Sequence, residues 1–335
     1  MQKPKQILLF ASLSVLLVVL FILSLSFGSV NIPFDNVLAI LFGEETQKES
    51  WVFIITEFRL PKAVMAVLDG MALAVSGLLM QTLFRNPLAG PYVLGISNGA
   101  SLGVAVLVLS GGVFGYFAES SWAIALMAII GSGGILALVL IFSVWAKDNV
   151  SLLIVGIMVG SITGALVSVL QYFSNPEAIQ SFVVWTFGSL AGANWSQLSI
   201  LAPVVIIGIT MAFISQKSLN GLLIGEDYAR GLGISIKKTR YTLIIATTLL
   251  AGSVTAFSGP IAFIGLAVPH IARRIFKTSN HAKLIPATLL IGASLLLTCD
   301  LIAQLPGYST TLPLNAVTAI FGAPIVIWVV MKMKR

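Results

Sequence analysis

Residues 258–276 read SGPIAFIGLAVPHIARRIF, and whether this stretch crosses a lipid bilayer decides how the whole chain is threaded. Its apolar run is interrupted by Gly265 and Pro269 and closed by Arg273 and Arg274. Around it the sequence is plainer. Uncharged or nearly uncharged runs that could cross a hydrocarbon core of about 30 Å, which takes ~20 helical residues, occur near 7–27, 61–83, 93–113, 122–145, 151–173, 197–215, 241–257, 284–303 and 313–331. If Lys3 and Lys5 face the cytoplasm, these nine crossings alone would carry Lys332, Lys334 and Arg335 outside. Counting 258–276 as a tenth returns that basic tail to the inner side, as the positive-inside rule asks. The chain therefore reads as an all-α, polytopic membrane protein of ten transmembrane helices with both termini cytoplasmic.

Composition agrees. Of 335 residues, 58% are apolar and 9% charged, with a mean hydropathy of +1.02, whereas a soluble domain carries about 25% charge. A water-soluble globule is excluded. The formal charge is +7, and of the 19 Lys and Arg all but Lys48, Arg59 and Lys62 fall on the inner side of the ten-span threading. Asp35, Glu44, Glu45, Glu49, Glu57, Glu119 and Glu177 fall outside. The basic excess is thus a matter of topology and of anionic lipid, and no nucleic-acid partner is expected. The first apolar run, of about 20 residues, exceeds a signal-peptide core of about 7–15 and no A-x-A site follows, so it is read as a span. The polar stretches 28–60 and 216–240 are too short for a core of their own, and residues 1–335 are taken as a single transmembrane domain.

Chemistry is sparse. One Cys, Cys299, excludes a disulfide framework, and His270 and His281 have no ligand companions, so neither metal nor cofactor is expected. No G-x-x-x-x-G-K-[ST], H-E-x-x-H or G-x-S-x-G occurs, which leaves conduction, transport or scaffolding rather than catalysis. Asp69 and Asp300 lie well inside spans and must face protein or water; without a His or Arg at helical spacing they read as structural polar contacts. Gly156, Gly160 and Gly164 form a small-xxx-small ridge for helix packing, with a similar face at Gly70, Ala74 and Gly77.

Two segments stand out. Residues 219–240, LNGLLIGEDYARGLGISIKKTR, join the sixth and seventh spans on the inner face, with Glu226 and Asp227 at the start of a short helix and Gly231 and Gly233 at its end. They read as short helices able to dock a soluble partner, or as a solvated loop meeting anionic headgroups. Residues 85–100, RNPLAGPYVLGISNGA, break helix at a span mouth, and such backbone survives only where protein or a water-filled cavity satisfies it, as in a path or gate. Gly259-Pro260 and Pro269 give the later half a comparable interruption.

These residues carry a resemblance. Arg59-Leu60-Pro61-Lys62, Gly77 to Gln81, Asn86-Pro87-Leu88-Ala89 with Pro91, Leu94-Gly95 with Asn98-Gly99-Ala100, and Trp185 with Gly188-Ser189-Leu190 occur in order. So do Gly225-Glu226 with Ala229 and Leu232-Gly233, Gly259 to Leu266 with Val268-Pro269-His270, and Leu312-Pro313 with Val317-Thr318-Ala319 and Gly322-Ala323-Pro324. Over nearly its whole length the chain resembles the FecCD-type permeases, membrane subunits of ATP-driven importers for iron-siderophores, haem and cobalamin. The resemblance implies the type II ABC importer permease fold, two permease subunits around one path, compatible with a homodimer, two cytoplasmic ATPase subunits and an extracytoplasmic substrate-binding protein. It places the protein in the inner (cytoplasmic) membrane and makes an iron chelate the expected cargo, with cobalamin the alternative. An ion-driven secondary transporter is the rival from another class. Gly225, Glu226, Asp227, Ala229, Arg230, Leu232 and Gly233 resemble the ATPase-coupling segment. Asn86 and Leu88 match a cytoplasmic gate, and Asn149 and Val150 lie where a second would fall. Arg59 and Lys62 look like the docking site for acids of the binding protein, and as two of the three external bases they suit that role on physical grounds. The chain departs from the pattern at Gln304, where family members often carry Arg, at Thr311 for Glu and at Asn315 for Gly, so the second docking charge is missing or relocated.

Overall fold

The computed structural model describes residues 2–44, 48–110, 115, 120–145, 148–304 and 311–333. Glu45, Glu119, Lys147, Lys334 and Arg335, counted above among the topological charges, lie outside the described residues. Every regular element described is helical. In chain order these are α1 Gln2–Ser26, α2 Phe34–Phe42, α3 Glu49–Phe53, α4 Leu60–Leu83, α5 Ile96–Val108, α6 Ser121–Trp145, α7 Asn149–Tyr172, α8 Pro176–Thr186, α9 Trp195–Ile214, α10 Gln216–Ile224, α11 Glu226–Gly231, α12 Ile236–Thr247, α13 Ser253–Ser258, α14 Ile264–Phe276, α15 His281–Ala303 and α16 Leu314–Met333.

Among the described residues seven helical stretches are long and apolar enough to cross a membrane, by length and composition. The expected count of ten is therefore not reached by helices of crossing length. The run near 93–113 becomes a 3-10 turn, Pro91–Leu94, followed by the 13-residue α5. The apolar part of the last run is Leu314–Trp328. The stretch 258–276 divides into an extended passage and the 13-residue α14, only about 20 Å of helix at 1.5 Å per residue. Gly259 at φ +73° and Phe263 at φ +67° produce that division, since neither conformation belongs to a helix.

The span expected at 61–83 is longer than its hydropathy suggested. Helix runs without a break from Glu49 to Leu83, with a π-turn over Ile54–Arg59. The turn has a cause in Pro61, which offers no N–H and whose ring would strike the carbonyl four residues back; widening the preceding turn avoids the clash. The Leu60 N–H bonds to Ile55, five residues back.

The core is built around α4, flanked by α15, α14, α9 and α12. Lipid supplies no hydrophobic drive between helices, so approach of backbones must supply dispersion contact. Small residues permit it: a Cβ on Gly70 would overlap the Gly292 carbonyl of α15, and one on Gly77 would overlap the Gly265 carbonyl of α14. That second carbonyl is the one whose helical donor would be residue 269, a proline. The glycine surface of α4 thus covers an oxygen that α14 cannot satisfy itself. On the opposite surfaces α1, α6, α7 and α9 expose large apolar side chains such as Ile7, Val18, Ile130, Ile162 and Ile206, as a lipid-facing exterior requires.

Replacing Gly77 by Val should overpack the α4–α14 contact and cost at least about 1–3 kcal/mol, read as a lower melting temperature of the detergent-purified protein. Gly164→Val should leave it unchanged, because a Cβ at Gly164 meets no described atom within 4 Å.

Candidate functional site

Near the end of α4, α10 ends at Gly225, whose φ of +143° is open to glycine, and α11 ends before Gly233 at φ +78°. Six helical residues are thereby set off between two positions that L side chains avoid. Within α11, Ala229 is buried while Arg230 pairs with Asp227 at 3.2 Å and with Glu226 at 3.7 Å. These ion pairs are exposed and contribute little. The segment's outward surface is apolar instead: Ile224, Tyr228 and Leu232 are 62%, 54% and 60% exposed. Tyr228 and Ile224 were missed in the sequence; only Tyr228 lies within α11, while Ile224 closes α10 and Leu232 follows the last turn of α11.

The segment is tied to the body at two points. Asn220 of α10 accepts from the His281 backbone N–H at 2.9 Å and meets its Nδ1 at 2.8 Å, and the Nε2 of the same ring lies 2.9 Å from Thr82 Oγ1 at the end of α4. Glu226 accepts from the Asn149 amide at 2.7 Å and lies 3.9 Å from Arg240. Asn149 also donates to the Leu83 carbonyl at 2.7 Å. Beside it Asp148 caps α7 by accepting from the Ser151 N–H, which holds its carboxyl below the usual carboxylate range.

The 85–100 break folds onto this end of α4. Asn86 accepts from the Leu88 N–H at 2.9 Å in an Asx turn, and the Pro87 carbonyl lies 2.8 Å from His270 Nε2. Leu88 is 43% exposed, as is Val150 at 62%, and Leu88 through Val93 face Ile261 through Leu266 across an apolar groove of about 310 Å³. The structure brings Asn149 together with Glu226 and with Leu83, and it places no hydrogen bond between Asn149 and Asn86. Of the glycine ridge on α7, Gly156 and Gly160 abut Val93, Leu94 and Asn98, but Gly164 has no described neighbour. The ridge within the described chain is two glycines long, because its partner is the short 3-10 turn and the first residues of α5.

At the opposite end of α4 each of the two predicted docking cations already has partners within the chain. Arg59 donates from Nη1 to the carbonyls of Leu25 at 2.7 Å and Ser26 at 2.8 Å and from Nη2 to that of Val30, satisfying the end of α1. Gly28 leaves room for it, since a Cβ there would lie 2.8 Å from the guanidinium. Lys62 pairs with Asp300 at 3.0 Å, and Gln304 donates to the other Asp300 oxygen at 2.7 Å. Asp300 therefore has the cationic partner that helical spacing alone did not offer. Asp69 has Ser258, at 2.5 Å. Arg59 and Lys62 still share a surface cavity of about 360 Å³ with Gln304 and Thr311. No cluster of three or more His, Cys, Asp or Glu occurs among the described residues.

Breaking a buried ion pair from one side strands the other charge. Lys62→Met should therefore destabilise the protein by about 3 kcal/mol, and Asp300→Asn in the same background should recover most of the loss, both read from thermal melting in detergent.

Comparison with known proteins follows this geometry. The model of the FecCD transport family matches residues 16–332. The hemin transport system permease protein HmuU of Yersinia pestis is 34% identical over 330 residues, covering 98% of this chain and 96% of its own. The vitamin B12 import system permease protein BtuC of Klebsiella pneumoniae is 37% identical over 323 residues, covering 96% and 93%. A solved chain described as an inward-facing conformation of a metal-chelate type ABC transporter superposes with a TM-score of 0.85 at 30% identity, covering 97% of this chain and 99% of that one. The PsaBC structure from Streptococcus pneumoniae, at 15% identity and a TM-score of 0.56, shares the fold alone. Matched from end to end by a family model and by such relatives, the chain belongs to the FecCD transport family.

Proposed function

We propose that this protein is the permease subunit of an ATP-driven importer that carries an iron chelate across the inner membrane. Two copies surround one path, α14 completes ten crossings with both termini cytoplasmic, and an extracytoplasmic binding protein delivers the cargo. The observation that carries this reading is α11: a helix of six residues between two glycine pivots, exposing Tyr228 and flanked by exposed Ile224 and Leu232, in a chain with no phosphate loop of its own. An exposed apolar patch of this kind suits a protein partner, and the partner this family implies is a pair of ATPase subunits.

In this account ATP binding draws the two ATPases together, Gly225 to Gly233 move with them, and the loops bearing Asn86, Leu88, Asn149 and Val150 change the width of the path. Hydrolysis resets the cycle. Arg59 and Lys62 form the outer seat for acidic groups of the binding protein, where an incoming carboxylate competes with Asp300 for Lys62. The permease hydrolyses no nucleotide itself. Hemin and vitamin B12 relatives support a bulky metal-chelate cargo; haem or a siderophore is the reading adopted, and cobalamin is the second.

With the cognate ATPase reconstituted, Tyr228→Ala combined with Leu232→Ala should lower co-purification of the ATPase and its stimulation by the permease about tenfold, the scale of losing an interface anchor of somewhat over 1 kcal/mol. Unchanged stimulation would refute the coupling role of α11.

A further inference from the structure

The Asn149 side chain is 9% exposed, and both N–H groups of its amide are used. One donates to Leu83, the last residue of α4, and the other to Glu226, the first residue of α11, each at 2.7 Å. Both partners accept only, so the orientation of the amide is fixed. The need for it is local. The Leu83 carbonyl would bond in a continued helix to the N–H of residue 87, but residue 87 is proline and has none. Asn149 supplies the missing donor from the first turn of α7. Glu226 in turn is held between that amide and Arg240 of α12, at 3.9 Å, with its second oxygen toward Arg230. An amide donating to a carboxylate makes a stronger bond than a neutral pair.

We propose that Asn149 is a positioning residue through which the coupling segment works the inner gate: its amide joins α11 at Glu226 to the end of α4 at Leu83, three residues before Asn86. Displacement of α11 draws the start of α7 and the Asn86–Leu88 turn with it. The inference rests on the coupling role of α11 argued above and adds the route by which that motion is delivered.

The only cysteine, Cys299, is buried, so a cysteine at Leu88 is a usable reporter in the otherwise native chain. The permease carrying Leu88→Cys, assembled with its ATPase subunits in proteoliposomes, is labelled with a membrane-impermeant maleimide, with and without MgATP and vanadate. The labelling rate should change about fivefold or more on nucleotide trapping. Asn149→Asp, which sets two carboxylates against each other, should abolish that change. Glu226→Gln alone keeps an acceptor oxygen for Asn149 and leaves the bond to Leu83 intact, so it should retain at least half of the response. If N149D still responds like the parent, the proposal is overturned. It is equally overturned if E226Q loses the response as fully as N149D does. Should N149D not retain its ATPase subunits, the next variant decides. Glu226→Ala breaks the same bond from the more exposed side and should match N149D; a full response in it also overturns the latch. Failure of the coupling reading itself looks different: the parent is then insensitive to nucleotide and the Y228A/L232A variant keeps its ATPase.

Discussion

A peptide carbonyl left without a donor in hydrocarbon costs several kcal/mol, and the helices of this chain are interrupted at prolines that create such carbonyls. At two of them a donor arrives from elsewhere in the fold. Pro61 has no N–H for the Thr56 carbonyl in the π-turn, and the Trp195 indole donates to it at 2.9 Å. Pro87 leaves Leu83 bare, and Asn149 donates to it. Pro269 leaves Gly265, and Gly77 closes over it. The extended passage before α14 depends on Asn315, whose amide donates to the carbonyls of Pro260 at 2.7 Å and Thr186 at 3.0 Å and accepts from the Ala262 N–H at 2.8 Å. The side chains that repair the breaks are therefore the ones that fix where the helices sit.

The same bonds organise the end of α4 that leads into the Asn86 turn. Thr82 and Leu83, adjacent at the end of α4, are each gripped by a side chain that also holds one of the two short helices α10 and α11. His281 joins Thr82 to Asn220, and Asn149 joins Leu83 to Glu226. Two ties thus hold α10 and the start of α11 to the helix that leads into the Asn86 turn. At the opposite end of α4 the polar contacts serve stability first, with Arg59 on the end of α1 and Lys62 on Asp300, so the proposed docking charges would face competition before any partner arrives.

Much of this was legible in the sequence. Apolar runs gave the all-helical membrane character, because burial in lipid is written in composition, and the order of short motifs gave the family. Glu226 and Asp227 were read as the start of a short helix and do begin α11; of the two glycines read as breaking it, Gly233 takes a positive φ beyond its end, while Gly231 is its last helical residue. What was hidden depends on pairing across distance. Nothing local to Lys62 points to Asp300, and nothing local to Asn149 points to Glu226. The continuous helix from Glu49 to Leu83 was masked by its charges, which hydropathy counts against a span although Trp51 and Phe53 continue the helix. Asn315 stood out only as an unusual residue at its position; its use, to splice three backbone segments, needed the fold.

The glycine at each end of α11 bears on energy transduction. A linker that must cross a steric barrier stores work as backbone strain and returns it as recoil, whereas a short rod between two torsionally soft joints swivels with little elastic loss. Under the proposed coupling role, a segment built in this way is a rocker whose stroke the gripping partner would set, and the same stroke could be run in either direction.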